Sequence, residues 1–275
     1  MIRRSGAPLA LALALCAMAS APGYAQTDYY NTDRGRPVQV EDAYVAERYA
    51  VELKIAPVRL ERSRGAAYAW EVEPEIAYGI LPRTQIEIGL PLVYREHGTE
   101  RSRGVAGLEL SAMHNLNHET EGWPALGIRG DLLLPVGNLG PARTYPSLTG
   151  IATRTQRWGR IHLNAQVTAG SELTAATEGD AGGAELSRWL VGAAIDRTFP
   201  LRSTLVTAEF YGSKPLMAGE PTEYLAGVGT RYQVSPTVLL DAGVGRTLNG
   251  DDKGWYLTFG SSYAFGIASL FPVGR

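Results

Sequence analysis

Residues 70–94 hold two runs of period-two alternation that share one short joint, Leu81-Pro82-Arg83-Thr84. In the first, Trp70, Val72, Ile76, Tyr78 and Ile80 fall on one parity, with Glu71, Glu73 and Glu75 on the other. In the second, Ile86, Ile88, Leu90, Leu92 and Tyr94 alternate with Glu87, Gly89 and Val93. Successive strand side chains point to opposite faces, so the pair predicts a hairpin with one apolar and one acidic face. A soluble sheet shows the same pattern. Its continuation around the chain decides, because a closed ring with its apolar face outward satisfies every backbone group without water and belongs in a membrane.

The alternation does continue. A first strand around Val51–Ile55 meets Pro57, whose missing amide predicts a bulge. Further segments follow at 106–115, 126–134, 148–155 (the weakest pattern), 161–168, 188–196, 206–211, 224–232, 238–244 and 255–265. The joints at 81–84, 117–122, 156–159, 198–202 and 235–236 are short, whereas the connections at 61–67, 95–104, 136–146, 171–185, 213–222 and 249–253 are mostly longer. Short and long joints alternate in order, as in outer-membrane barrels. The last segment is aromatic on its apolar face and ends at Phe265, a closing strand of the kind the outer-membrane assembly machinery reads. We therefore expect an all-β fold, a single closed antiparallel transmembrane β-barrel of about 12 strands over residues 48–265, followed by a tail at 266–275.

The N-terminus reads as an export signal. Arg3 and Arg4 precede an apolar core from Leu9 to Met18, and Gly23-Tyr24-Ala25 offers small residues for cleavage, which assigns 1–25 to a signal peptide. That core of about ten apolar residues falls short of the roughly twenty that a spanning helix needs. Residues 26–47 are polar and read as a periplasmic leader, a mobile tail first and a partial plug second. Residues 1–25 hold two arginines and no acid, so the remainder carries 24 basic and 28 acidic residues, a net charge of −4. With no basic run, that balance gives no support for nucleic-acid binding. Cys16 is the single cysteine and lies in the signal, which excludes disulfides and thiolate metal sites from the rest.

Parity nominates lumen-lining residues: Glu71, Glu73, Glu75 and Glu87, then Glu109, Arg129, Asp131 and His162, then Arg188, Glu209, Arg231 and Asp241. Same-face residues two apart on a strand lie about 6.6 Å from one another. Such a run of carboxylates needs water or cations, and Arg129, Arg188, Arg231 and Lys54 have the parity to supply the latter. A solvated, ion-paired interior is favoured over a paired-carboxylate hydrolase site. A selectivity lining that disfavours anions is the sharper alternative. His114 and His118 straddle a strand end and a turn, not one helical face, which argues against zinc. Twelve strands also suit an outer-membrane phospholipase, but its histidine with a serine two residues on is absent. His162-Leu163-Asn164 stands instead. No catalytic residue, metal or cofactor is assigned, and the chain is read as not an enzyme.

With these segments in hand, the chain resembles the phenol-degradation meta-pathway family of outer-membrane, transporter-like β-barrel proteins. The residues that carry the likeness are Glu73-Pro74-Glu75-Ile76-Ala77-Tyr78-Gly79-Ile80, Thr84 to Pro91, Gly127 to Gly137, His162-Leu163-Asn164 and Leu240-Asp241-Ala242-Gly243-Val244-Gly245. The resemblance implies a barrel in the outer membrane of a Gram-negative-type bacterium, tied to uptake of small hydrophobic or aromatic solutes by passive diffusion. Its partners would be outer-membrane lipid, the assembly machinery and an unidentified small solute. A non-conducting structural or adhesive barrel is the second reading, and a soluble periplasmic sandwich the third.

Overall fold

A computed structural model of the chain describes residues 31–62, 68–173, 186–249 and 253–267. The expected signal peptide, and the tail beyond Ile267, lie outside the described residues, as do parts of the connections at 61–67, 171–185 and 249–253.

Fifteen strand segments form one antiparallel sheet: β1 (Ala50–Arg62), β2 (Tyr68–Val72), β3 (Glu75–Leu81), β4 (Thr84–Gly89), β5 (Leu92–His97), β6 (Glu100–Val105), β7 (Leu108–Asn117), β8 (Ala125–Leu134), β9 (Tyr145–Gln156), β10 (Gly159–Thr168), β11 (Ser187–Thr198), β12 (Thr204–Pro215), β13 (Glu223–Ser235), β14 (Val238–Thr247) and β15 (Trp255–Gly266). The last returns to the first, with β15 pairing β1 from Ala50↔Gly266 to Arg62↔Trp255. The sheet is therefore a closed barrel without an edge. Three of its strands are each broken once: β2 continues as β3, β4 as β5, and β6 as β7. Both β2 and β3 lie against β1, and both β5 and β4 lie against that pair in turn. Counted as wall strands, the segments make twelve.

The breaks have local causes. Pro74 and Pro91 cannot donate to a ladder. Leu90 N–H instead donates to Pro74 O at 3.1 Å, and Ala106 N–H to Pro91 O at 2.9 Å, which carries pairing across the gaps. The third break falls at Gly107, whose φ of +128° lies in the region that favours glycine. The kink there turns Ala106 inward, where it packs with Val93 and Leu139 instead of facing out. The expected irregularity at Pro57 is present, as a register shift between Ile55 and Val58 against β15.

One connection departs from expectation. The sequence predicts a long connection at 95–104, yet β5 and β6 run on as a paired hairpin to His97↔Glu100 with Gly98-Thr99 at its tip. Charged strand ends such as Arg95, Glu96 and Arg101 disguise the alternation there, because beyond the bilayer both faces of a hairpin can be wet.

The exterior is apolar in its middle, with Leu163, Val191 and Val228 each more than half exposed. Trp123, Trp158 and Phe199 stand out near the short-turn end, and Trp70, Phe210 and Tyr224 toward the long-loop end. Aromatic girdles flanking an apolar belt are the exterior of a membrane barrel. The interior face is polar, so this molecule reverses the usual soluble arrangement.

Two outcomes follow. The protein should migrate faster in detergent gels unheated than boiled, and a chain soluble without detergent would contradict the barrel. Val191→Arg, on the lipid face at mid-strand, should destabilise the barrel folded in vesicles by about 2–4 kcal/mol, measured by urea titration.

Candidate functional site in the barrel interior

The interior is organised by a segment from outside the strands. Residues 31–47, favoured by sequence as a mobile tail, lie within the barrel and cross it from strand to strand. The side chains that hold this segment come from successive parts of the wall. Thr258 of β15 donates its hydroxyl to Pro37 O at 3.0 Å. Glu209 of β12 accepts the amides of Gln39 at 2.7 Å and Val40 at 2.9 Å. Asn164 of β10 accepts Glu41 N–H at 2.9 Å and donates to Glu41 O at 2.8 Å, replacing both hydrogen bonds that a neighbouring strand would give. Thr153 of β9 accepts Ala43 N–H at 3.0 Å, and Asn115 of β7 donates to Ala43 O at 2.7 Å. Gln85 of β4 accepts Ala46 N–H at 2.6 Å. Six wall strands, taken in order, thus satisfy a backbone that has no ladder of its own.

Space for the segment comes from missing side chains. A Cβ on Gly243 would stand 2.0 Å from Pro37 O, and one on Gly79 would stand 2.0 Å from Glu47 O. Apolar contacts help where they can: Ala43 packs with inward Met113, Ala125 and Ile151.

Charges complete the fit. Arg129 meets Glu87 at 2.8 Å, Asp131 at 2.7 Å and Glu41 at 3.4 Å. Arg34 pairs with Asp131 at 3.0 Å and also with Glu109. Lys54 pairs with Glu75 at 2.5 Å, Glu87 at 3.4 Å and Asp33 at 3.7 Å. Arg231 pairs with Asp33 at 2.7 Å, and Arg36 with Asp241 at 3.3 Å. On the opposite side Arg160 joins Asp196 at 2.7 Å and Asp42 at 3.4 Å. Glu73 and Glu75 line a polar cavity of about 40 Å³ beside Arg34 and Arg129, room for roughly one water.

Of the parity-nominated residues, Glu75, Glu87, Glu109, Arg129 and Asp131 fall into one ion-pair cluster with Lys54. Arg231 and Asp241 join it through Asp33 and Arg36. Glu209 makes no ion pair there but holds the crossing backbone and accepts the Tyr256 hydroxyl at 2.7 Å. Glu71 is on β2, outside the ring that grips the crossing segment. Arg188 is elsewhere: its guanidinium donates to Thr168 O at 3.2 Å and Gly170 O at 2.7 Å at the long-loop end. Parity reasoning missed Arg34, Arg36, Glu41 and Asp42, which have no alternation to reveal them. It put Asn115 and Asn164 on the inner face without nominating them, and it passed over Gln85, which shares parity with Glu87.

His162 is fully buried, with Nε2 3.0 Å from Asp196 Oδ2 and Nδ1 3.0 Å from Thr153 Oγ1. If the neutral ring donates from Nε2 to Asp196, Nδ1 accepts the Thr153 hydroxyl proton. A hydroxyl, an imidazole and a carboxylate in line resemble a hydrolytic relay. Here Thr153 Oγ1 already accepts the Ala43 amide and is fully buried, so no substrate carbonyl can reach it. The chain is a positioning device. Among the described residues no group of three or more metal-ligating side chains converges.

The crossing segment carries its own titration. Burial pushes Glu41 up to about 7 even though Arg129 and Arg34 face it, and the nearby carboxylates of Asp131 and Glu87 push the same way as burial. Burial likewise lifts Asp42 to about 6 against Arg160 and His162. For Asp33 burial also acts upward, but Lys54, Arg231 and Arg36 outweigh it and hold the carboxyl well below the usual range.

No protein-family model matches this chain, and no curated protein matches it. Solved structures do. The COG4313 outer membrane channel from Pseudomonas putida F1 is similar with a TM-score of 0.54 and 15% identity, over 85% of this chain and 100% of that one. A KdgM porin is similar at TM-score 0.48 and 12% identity, over 78% and 99%. The outer membrane phospholipase A from Escherichia coli is similar at TM-score 0.41 and 9% identity, over 84% and 94%. At these identities the likeness is one of fold. The closed twelve-strand barrel with its apolar exterior is that of a Gram-negative outer-membrane protein.

Asn164→Ala removes two hydrogen bonds and strands both backbone groups of Glu41, so the docked segment should lose about 1–3 kcal/mol. Hydrogen exchange of the 38–46 amides should quicken at least about fivefold, with the wall strands unchanged. A carboxyl whose pKa is raised on docking stabilises the docked state fully below its free value, and that help is lost as pH rises through the docked value. Glu41 and Asp42 should therefore make the segment looser at pH 7.5 than at 4.5, after correction for intrinsic exchange. Glu41→Gln should flatten the slope. A segment that tightens over that range contradicts the assignment.

Proposed function

We propose that the protein is an outer-membrane channel or facilitator through which small solutes pass by passive diffusion, with residues 31–47 occupying the path until they shift. The observation that carries this reading is the interior itself. Lumen side chains hold an irregular polypeptide by about one hydrogen bond or ion pair per residue and not by a continuous hydrophobic core. Such contacts exchange readily with water once one end is released. A barrel of twelve strands lies between the eight that side chains fill and the sixteen that leave an aqueous channel. With the segment withdrawn, a lumen of passable width would be lined by the same Glu, Arg, Asn and Thr side chains.

The resemblance to the phenol-degradation meta-pathway family supports small hydrophobic or aromatic solutes as cargo. The fold of the COG4313 channel supports the channel class. The partners would be bilayer lipid, the assembly machinery during insertion, and the solute. A non-conducting structural or adhesive barrel is favoured by a different observation: Leu133, Tyr145, Leu173 and Leu216 form an apolar cluster that caps the long-loop end.

Planar-bilayer recordings separate the two. The full chain should show small, infrequent openings, and a chain lacking residues 31–47 a larger steady conductance. No current from either, with no vesicle swelling by phenolic solutes, would leave the structural reading standing. In the shortened chain, replacing Glu71, Glu73 and Glu75 with Gln should reduce cation preference, read as a shift of reversal potential in a salt gradient. An unchanged potential would dispose of the selectivity lining.

A further inference from the structure

The outward face carries a feature that the channel reading does not use. Near the long-loop end, one row of outward side chains crosses five adjacent strands. Tyr68 of β2 pairs with Arg62 of β1, Arg62 with Trp255 of β15, Trp255 with Arg246 of β14, and Arg246 with Ala226 of β13. Trp255 therefore stands between two arginines at one level of the wall. Lys253, exposed just before β15, adds a third cation. One level toward the membrane centre the outward residues are all apolar: Val228 pairs with Val244, and Val244 with Leu257. Small Ala226 beside the inward-turned Gly227 and Gly245 leaves a groove of about 590 Å³ between the basic row and the valines.

Three cations on a lipid-facing wall are costly without counter-charge. Among the described residues no carboxylate comes within ion-pair distance of Arg62, Arg246 or Lys253. The Nε atom of Arg62 is buried and has no partner, although the guanidinium carbon lies 6.0 Å from the Tyr68 ring. Two guanidiniums flanking an interfacial tryptophan above an apolar trough match a ligand with phosphate at one end and acyl chains at the other. Arginine binds phosphate through two parallel N–H donors, and tryptophan sits naturally at headgroup level. The long-loop end of such a barrel faces the cell exterior, where the outer leaflet is built of phosphorylated, multiply acylated glycolipid.

We propose that the groove between Arg62, Trp255 and Arg246 is a seat for the phosphorylated glucosamine headgroup of that glycolipid, with an acyl chain laid along Val228, Val244 and Leu257. The proposal rests on the outer-membrane placement but not on conduction. Lys253 closes the outer rim of the seat, and the two arginines grip the phosphate from either side of the indole.

Native mass spectrometry of the full-length mature barrel, released from detergent with bisphosphorylated lipid A added, tests it. One lipid A should be retained, and Arg62→Gln with Arg246→Gln should weaken retention roughly thirty-fold, taking each basic residue as worth about a fivefold factor. Arg62→Lys with Arg246→Lys should restore much of it, and Arg157→Gln at the short-turn end should leave it unchanged. Dephosphorylated lipid A should be held weakly, and inorganic phosphate alone should not compete. Should the double variant fail to fold, Lys253→Glu, which lies outside the strands, carries the same expectation of weaker retention. Equal retention by wild type and variants, equal retention of dephosphorylated lipid, or competition by inorganic phosphate overturns the seat. A barrel that loses lipid A but keeps its heat-dependent migration refutes the groove alone, whereas loss of that migration in the wild-type chain refutes the membrane placement.

Discussion

The constraint on which the interior depends is the unpaired backbone of residues 37–46. A peptide segment enclosed in a barrel must find partners for its amides and carbonyls, because burying them unpaired costs about as much as the lost hydrogen bonds. The wall cannot offer backbone partners, since every wall strand already has two neighbours. Side chains substitute: Asn164 presents a carbonyl and an amide as a strand would, and Glu209 accepts two consecutive amides. Polar inward positions are thereby specified as a complementary surface and are more than a generic wet lining. The glycine at 243 belongs to the same requirement, because a carbonyl passes where its side chain would be.

The ion pairs work on top of that scaffold. Asp33 lies within 4 Å of Lys54, Arg36 and Arg231, so one leader carboxylate answers three cations from separate stretches of chain. Buried pairs add little net stability when formed, but removing one partner strands the other at a cost of several kcal/mol. Leader and wall are consequently interdependent. Withdrawing the leader leaves Lys54 its two glutamates and Arg129 its own, while Arg231 loses Asp33. That asymmetry makes water entry a necessary part of any opening.

Much of the wall was legible because a membrane barrel writes its topology in period two. The parity of Glu87, Arg129 and Asp241 places each on the inner face, and that of Phe259 and Leu163 on the outer, as the structure has them. Pro57 announced its bulge. The limits are equally physical. Pro74 and Pro91 break strands that alternation alone would join, because a kink preserves parity on both sides of it. The hairpin at 95–104 was hidden by charges on both faces. Arg188 has the inner parity yet serves a loop carbonyl, since near a strand end the long side chain can reach past the wall.

The sequence by itself determined the closed sheet, its strand number and the sorting of apolar from polar faces, because each is a local consequence of alternate side chains meeting lipid or lumen. Only the tertiary structure decided that residues 31–47 lie within the barrel. Their partners, from Gln85 to Thr258, come from six strands spread across more than half the chain. No periodicity in a segment of irregular backbone can encode such contacts. The juxtaposition of Arg62, Trp255 and Arg246 was likewise decided by closure, since β1 and β15 meet only when the ring is complete.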